Sequence, residues 1–408
     1  MTALYEDNAF ISWENPAEMT KFYEDLTESD VWISGDSADE DGISMAEVTL
    51  LPLEMGSEQV SVFSEDNAEA PNFPEFVTSG IVYDTMNNSA LVIKIRDECY
   101  PLRNIAVQQV EERAQFRNRG GNTNLKKTSI KTYCKVANEY LRVCNSRASF
   151  LLRFGKITGV QGRQSGNRYG ALPISTLLRT LYTVLDSQFP GHKFVSGTYC
   201  HEFSTATWLV PEQSDKILGT YLEYLKNAGT FLSNEELTPV LKFTTSDVGA
   251  CAATIRAGIQ SATGKYIEIG DASKLEHRAV NIVDDFSQNC EEMFAQIAEN
   301  MEKLVALMDV RIRYPLPCML HLARRYNLPV FMAAEAAKNL IAEMGGEQIT
   351  AHDVFWAMND IVRLMDARDA KGNRFKTREK ICRIHPRGGR NTITTMGIPA
   401  VHTKGGGL

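Results

Sequence analysis

Two runs, Lys193-Phe-Val-Ser-Gly-Thr-Tyr199 and Phe203-Ser-Thr-Ala-Thr-Trp-Leu-Val210, decide the fold. Each alternates large apolar and small or polar residues with period two, and a short polar break separates them. That pattern predicts a β-hairpin turning at His201-Glu202. Upstream, Leu172–Phe189 sets Leu177, Leu178, Leu181, Tyr182 and Leu185 at helical spacing. Downstream, a helix is expected over Asp215–Asn227, then strands at Val240–Thr245, Ala252–Ile259 and Tyr266–Ile269. A long helical stretch follows at Val280–Met308. Three shorter helices close the series, at Pro317–Tyr326, Val330–Met344 and Thr350–Ala367. Thr350 and Asp353 form a capping-box signature at the start of the last one. Strands followed by a run of helices predict an α+β fold. Its sheet is antiparallel or mixed, with a long helix packed on it and a C-terminal helical subdomain.

Toward the N-terminus, Asn15 and Pro16 suit a helix cap and first turn, with Phe22, Tyr23 and Leu26 as the apolar side. A Gly-Asp-Ser loop spans Gly35–Gly42. Strand-like runs cover Ile43–Leu53 and Val60–Phe63, a loop Asn67–Pro74, and a strand Ala90–Ile95. From Pro101 the pattern turns helical through Ile105, Val107 and Val110. Arg119-Gly-Gly-Asn-Thr-Asn124 reads as a break, and Thr128–Val143 as the next helix. Ala148–Phe154 and Ile157–Val160 read as paired strands joined at Gly155-Lys156, followed by a Gly-rich loop to Gly170. The expected units are 1–100, 101–170, 171–310, 311–367 and a flexible tail, 368–408.

The net charge of -8 conceals a sorting of sign. Residues 1–102 hold 22 acidic and 3 basic residues, and residues 103–168 hold 14 basic and 3 acidic. The central segment returns to net negative, and the tail is basic. Charge separated in this way points to a polyanionic partner or to neutralisation within the chain.

Few catalytic patterns are present. Gly258 to Lys265 is one residue too long for a phosphate-binding loop, and Tyr266 stands where a hydroxyl would hold magnesium. Gly162-Arg-Gln-Ser165-Gly166 displaces the serine of a nucleophile elbow. Cys200-His201 reads as a buried cysteine beside a turn-facing histidine, because neighbours in a strand point to opposite faces. Asp247, Asp271, Glu276, Asp284 and Asp285 are candidates for a magnesium site of a metal-dependent nuclease, the enzyme alternative, and His277 for a general base; turn and cap roles compete with both. The eight cysteines include no C-x-x-C pair and are expected as free, mostly buried thiols. No apolar run reaches membrane-spanning length, and the acidic start lacks the features of a secretory signal. The expectation is a cytoplasmic protein with no membrane partner, no metal and no cofactor.

The basic block supplies the positive signal. Arg113, Arg117 and Arg119 approach the Gly-Gly run. Lys126, Lys127 and Lys131 surround the start of the next helix. Arg147, Arg153, Lys156, Arg163 and Arg168 lie on the strand pair and its loop, with Tyr169 beside them. Such residues neutralise phosphates and release counterions. Tyr133, Tyr140, Phe150, Phe154 and Tyr169 interleave with them, as stacking candidates or as core. The competing reading is that the acidic first hundred residues neutralise this block across an internal interface. The tail cations Arg374, Lys376, Arg378, Lys380, Arg383, Arg387 and Arg390 offer a second phosphate contact or a solvated end.

Three short runs carry a family likeness: Thr244-Thr-Ser-Asp-Val-Gly249, Leu275-Glu-His-Arg278 and Thr350-Ala-His-Asp-Val-Phe-Trp-Ala-Met-Asn359. Over roughly 145–366 the chain resembles the phage/plasmid-like proteins grouped as domain of unknown function 932. The strands at 240–269 followed by a long helix are also similar to the core of RecT/Redβ-type single-strand annealing proteins. These likenesses imply a phage- or plasmid-encoded protein that binds nucleic acid, single-stranded DNA above all. They further imply homo-oligomers and action in annealing or recombination without nucleotide hydrolysis. Two alternatives stand beside this. The acidic segment could mimic nucleic acid or dock on a host defence protein, or the chain could serve in virion assembly.

Overall fold

The computed structural model describes residues 3–35, 42–55, 60–64, 67–116, 119–161, 173–228, 236–251, 253–263, 265–275, 288, 301–361 and 364. The fold is α+β, built on three sheets whose strands pair antiparallel throughout.

The largest sheet runs in the order β1 (Phe10–Trp13), β11 (Lys193–Cys200), β12 (Ser204–Leu209), β13 (Leu237–Thr245), β14 (Ala253–Ser261), β15 (Tyr266–Leu275). The expected hairpin is β11–β12, with Tyr199 opposite Ser204. On its apolar side lie α1 (Pro16–Ser29), α6 (Ile174–Gln188) and α7 (Ser214–Ala228), with the C-terminal helices α8 (Pro315–Arg325), α9 (Val330–Met344) and α10 (Ala351–Ala357). Leu177, Leu178, Leu181 and Leu185 enter this core together with Trp208 and Trp356, both fully buried. Each aliphatic side chain so buried contributes about 1.5–3 kcal/mol. Asn15 caps α1 by accepting from the Ala17 amide, and the Thr350–Asp353 capping box is complete. The long helix expected at Val280–Met308 lies mostly outside the described residues. Residues 301–306 are helical, and Met301, Leu304 and Leu307 are buried in this core.

A second core lies between the other two sheets. One is β10 (Lys156–Gln161), β9 (Arg147–Arg153) and β2 (Val31–Ile33), with β3 (Ile43–Ser44) also on β9. The other is β6 (Asn67–Glu69), β5 (Val60–Ser64), β4 (Val48–Met55), β7 (Leu91–Ile95) and β8 (Glu98–Pro101). Helices α3 (Asn104–Arg113) and α5 (Ile130–Arg142) pack against β10 and β4. Between them runs α4 (Arg119–Thr128), and α2 (Ser79–Asn88) lies beside β8.

Three expectations change. Arg119-Gly-Gly-Asn-Thr-Asn124 is the start of helix α4 rather than a break; Asn122 holds it by donating to the Phe116 carbonyl at 2.6 Å. Part of the loop at Asn67–Pro74 is strand β6, paired with β5. The acidic first hundred residues are shared between the two cores. Trp13, Met19, Tyr23 and Leu26 belong to the first; Ile43, Met45, Val48, Leu50, Leu91, Ile93 and Ile95 join Leu102 to Val160 in the second; and Leu51, Leu53, Val62, Val82, Val92 and Cys99 form a smaller cluster of their own.

Candidate nucleic-acid interface

The β9–β10 hairpin sets the charge geometry. Its turn is Phe154-Gly155, with φ of 51° and 77°, so both central residues are left-handed. That is the backbone of a two-residue turn matched to strand twist. Gly155 suits it, and a Cβ there would overlap the Ile81 side chain. The turn makes Arg153 and Lys156 direct register partners. Two cations side by side repel each other, so each needs carboxylates from elsewhere.

The acidic segment supplies most of them. Arg153 Nε donates to Asp30 Oδ1 at 2.7 Å, and its Nη2 reaches Asp247 Oδ2 at 2.5 Å. Lys156 Nζ donates to Asp7 Oδ1 at 3.0 Å and also to Asp84. Arg103 joins through Asp7 at 2.9 Å, Thr158 at 3.2 Å and the Leu4 carbonyl at 3.2 Å. Side-chain exposure is 2% for Arg153 and 0% for Lys156. Burial raises the Asp30 pKa, against the lowering effect of Arg153. Burial likewise lowers that of Arg103, partly offset by Asp7.

His201 links the two halves of this cluster. Its Nε2 donates to the Glu6 carbonyl at 2.9 Å, so in the neutral ring Nδ1 accepts from the Tyr199 hydroxyl at 3.0 Å. Burial and the adjacent Arg103 hold its pKa well below 6.5. His201 was expected to face the turn; instead it is buried, because Tyr199 and the N-terminal backbone close over it.

The open end of the same hairpin is different. Gln161 pairs with Ser149 there, and the chain enters residues 162–172. Arg113 Nε donates to the Val160 carbonyl at 3.2 Å, and Arg147 Nε to the Gly42 carbonyl at 2.9 Å. Cys144, just after α5, bonds the Arg113 carbonyl at 3.2 Å. Along α4 and α5, Lys127, Lys131, Lys135 and Arg142 are exposed. Lys131, Lys135 and Arg142 stand at i, i+4 and i+11, which places them on one side of the helix. The ion pairs here are superficial. Lys131 meets Glu54 at 3.3 Å, and Arg142 meets Glu139 at 2.9 Å, with exposures near or above 40%. Exposed pairs of this kind contribute about 0–1 kcal/mol, so a phosphate can replace the carboxylate at little cost. Lys126 is more enclosed, 3.3 Å from Glu111 and 5.0 Å from the Tyr133 ring centroid.

The twelve expected contact residues therefore divide. Arg153 and Lys156 are interior ion-pair members, out of reach of a phosphate in this conformation. Arg113, Lys126 and Arg147 are partly buried and hold neighbouring groups. Lys127 and Lys131 are on the surface. Arg119 opens α4, and its side chain lies outside the described residues, as do Arg117, Arg163, Arg168, Tyr169 and the tail cations. Lys135 and Arg142 were not singled out from the sequence, although their helical phase with Lys131 was legible. Of the aromatics, Tyr133 and Phe150 are core, and Tyr140 is 44% exposed.

The metal candidates fare similarly. Asp247 is committed to Arg153. Asp271 lies in β15 with its side chain outside the described residues, and so do Glu276, His277, Asp284 and Asp285. No group of three or more His, Cys, Asp or Glu among the described residues could hold a metal ion. Among the described residues, Cys99, Cys134, Cys144, Cys200, Cys251 and Cys318 form no disulfide, and Cys99, Cys134 and Cys318 are buried. Among the described residues no helix is long and apolar enough to cross a membrane. No family model, curated protein or solved structure matches the chain.

Proposed function

We propose that this chain binds nucleic acid, with single-stranded DNA as the favoured ligand, along the exposed side of α4 and α5. One observation carries the reading. After carboxylates have neutralised Arg153 and Lys156, the cations Lys131, Lys135 and Arg142 still form an exposed row on α5, and Lys127 is exposed on the preceding helix. Arg113 and Arg147 stand at the neighbouring end of the β9–β10 hairpin. In the sequence, Arg163 and Arg168 follow Gln161 closely, in residues outside those described. A phage- or plasmid-encoded annealing or recombination factor, oligomeric and acting without nucleotide hydrolysis, is the biological role that fits the resemblance.

The test is titration of the full chain with a single-stranded oligonucleotide at several salt concentrations. Log affinity should fall linearly with log salt. Changing Lys127, Lys131 and Lys135 together to Gln should reduce the slope by about 2, since each lost phosphate contact on a single strand removes about 0.7. A salt-independent affinity, or an unchanged slope in the triple variant, overturns the reading.

A second reading has its own support in α1, which exposes Glu18, Glu24, Asp25 and Glu28. That acidic helix face suits docking on a basic host defence protein. Reversing these four charges should abolish such binding and leave DNA affinity intact.

A further inference from the structure

Tyr133, Phe116 and Tyr140 form an aromatic series that runs from the second core to the surface. Tyr133 is fully buried, and its hydroxyl donates to Glu111 at 2.6 Å. Phe116 follows at a centroid distance of 5.8 Å. Tyr140 then packs on Phe116 at 5.0 Å, with its ring tilted by 38°. The series ends in water, since Tyr140 is 44% exposed and Val143, one turn further, is 77% exposed. A tyrosine fixed by an aromatic neighbour on one side and open on the other is a preformed stacking surface, because little side-chain entropy is left to lose on binding.

Its position relative to the cations matters. Five residues separate Tyr140 from Lys135 and nine from Lys131, so at 100° per residue the ring lies on the opposite flank of α5 from that row. An α-helix with its side chains is about 10–12 Å across. A strand that leaves Lys131, Lys135 and Arg142 therefore crosses an arc of roughly 15 Å over the crest of α5, past the exposed Glu139, and several nucleotides span it before a base lies on Tyr140. A duplex cannot place a base there, because its bases are already paired and stacked.

We infer that Tyr140, backed by Phe116, is a base-stacking residue that makes this surface selective for single strands over duplex. The inference rests on the nucleic-acid reading above and adds the group that distinguishes the two forms of DNA. Aromatic–base stacking contributes a term that does not depend on salt, unlike the contacts to lysine.

The experiment compares an oligothymidylate with a duplex of equal length, binding to the full-length protein, Tyr140→Ala, Tyr140→Phe and Tyr140→Trp. Tyr140→Ala should weaken single-strand binding by about 5- to 150-fold. It should leave the salt slope and the duplex affinity unchanged, and Tyr140→Phe should restore binding. In Tyr140→Trp, the oligothymidylate should quench indole fluorescence beyond any quenching in the parent protein, whose four tryptophans also emit. Unchanged single-strand affinity in Tyr140→Ala overturns the inference, as does bound DNA without that added quenching in Tyr140→Trp. The quenching experiment decides the matter if Tyr140→Ala fails to fold. Failure of the parent protein to bind either DNA overturns the underlying nucleic-acid reading instead.

Discussion

Arg153 and Lys156 are register partners across a two-residue turn, and both are buried. Like charges so placed are tolerable only because Asp7, Asp30, Asp84 and Asp247 converge on them. The basic block is thus split by one hairpin. Its turn end serves stability, and its open end lies beside the exposed cations.

That split predicts opposite phenotypes. Lys156→Met should cost about 3–5 kcal/mol in chemical denaturation, because it removes the ammonium from Asp84 and leaves Asp7 with Arg103 alone. Whatever fraction folds should keep its affinity for DNA. The Lys127, Lys131, Lys135→Gln variant should lie within about 1 kcal/mol of the parent in stability and lose DNA affinity. Equal losses of stability in both would contradict the division.

Gly155→Ala tests the turn. Its φ of 77° is strained for any residue with a Cβ, and a methyl group there would also displace the Ile81 Cδ1. The substitution should destabilise by more than about 1 kcal/mol. Pairing it with Ile81→Ala in denaturant titrations should not restore the parent value, since the positive φ persists.

Stability should fall as pH drops below 6.5. Burial lowers the pKa of both His201 and His352 from that ordinary value. The unfolded chain then takes up protons that the folded chain refuses, so stability is present above 6.5 and is lost as acid approaches the folded values. His201 is faced by Tyr199, the Glu6 carbonyl and the cations Arg103, Arg153 and Lys156. His352 accepts from Tyr221 at 2.6 Å and lies 3.7 Å from Asp353. Asp30 acts in the other direction at lower pH, because its folded pKa is raised above 3.8. Melting curves between pH 7.5 and 5 should show the decline, and His201→Gln should make it shallower, leaving the part due to His352.

Thr350→Val tests the last helix. It removes the hydroxyl that accepts from the Asp353 amide at 3.3 Å and donates to its carboxylate at 2.7 Å. Loss of such a cap costs about 0.5–2 kcal/mol. Thermal melts should register it, while Thr350→Ser should stay close to the parent.

What the sequence made legible follows from the range of the forces involved. Helices α6 and α9 and the β11–β12 hairpin carry their own period over eight residues or more, so local pattern defined them. Strands β1 and β2 have four and three residues and no period to read; they exist because β11 and β9 present them an edge. The Gly-Gly in α4 looks like a breaker, but the Asn122–Phe116 contact and the packing of Leu125 outweigh the propensity loss of about 1 kcal/mol per glycine. The fate of Lys156 was invisible locally, because its partners lie 149 and 72 residues away in sequence. The lysine row was partly visible, since helical phase links Lys131 to Lys135 and Arg142. Tyr140 could be nominated from the sequence but not separated from Tyr133, because only packing tells which of two helical tyrosines meets water.

Strand β1 pairs Phe10 with Cys200, a span that has a consequence for synthesis. Translation at about 5–20 residues per second leaves this early segment waiting roughly 10–40 s for its partner to be made. During that interval Trp13, Met19 and Tyr23 have no core to enter, and the surplus of carboxylates around them keeps the nascent chain in water. Net charge opposes self-association, so the carboxylates that later tie down the β9–β10 hairpin also act earlier, while β1 has been made and its sheet has not.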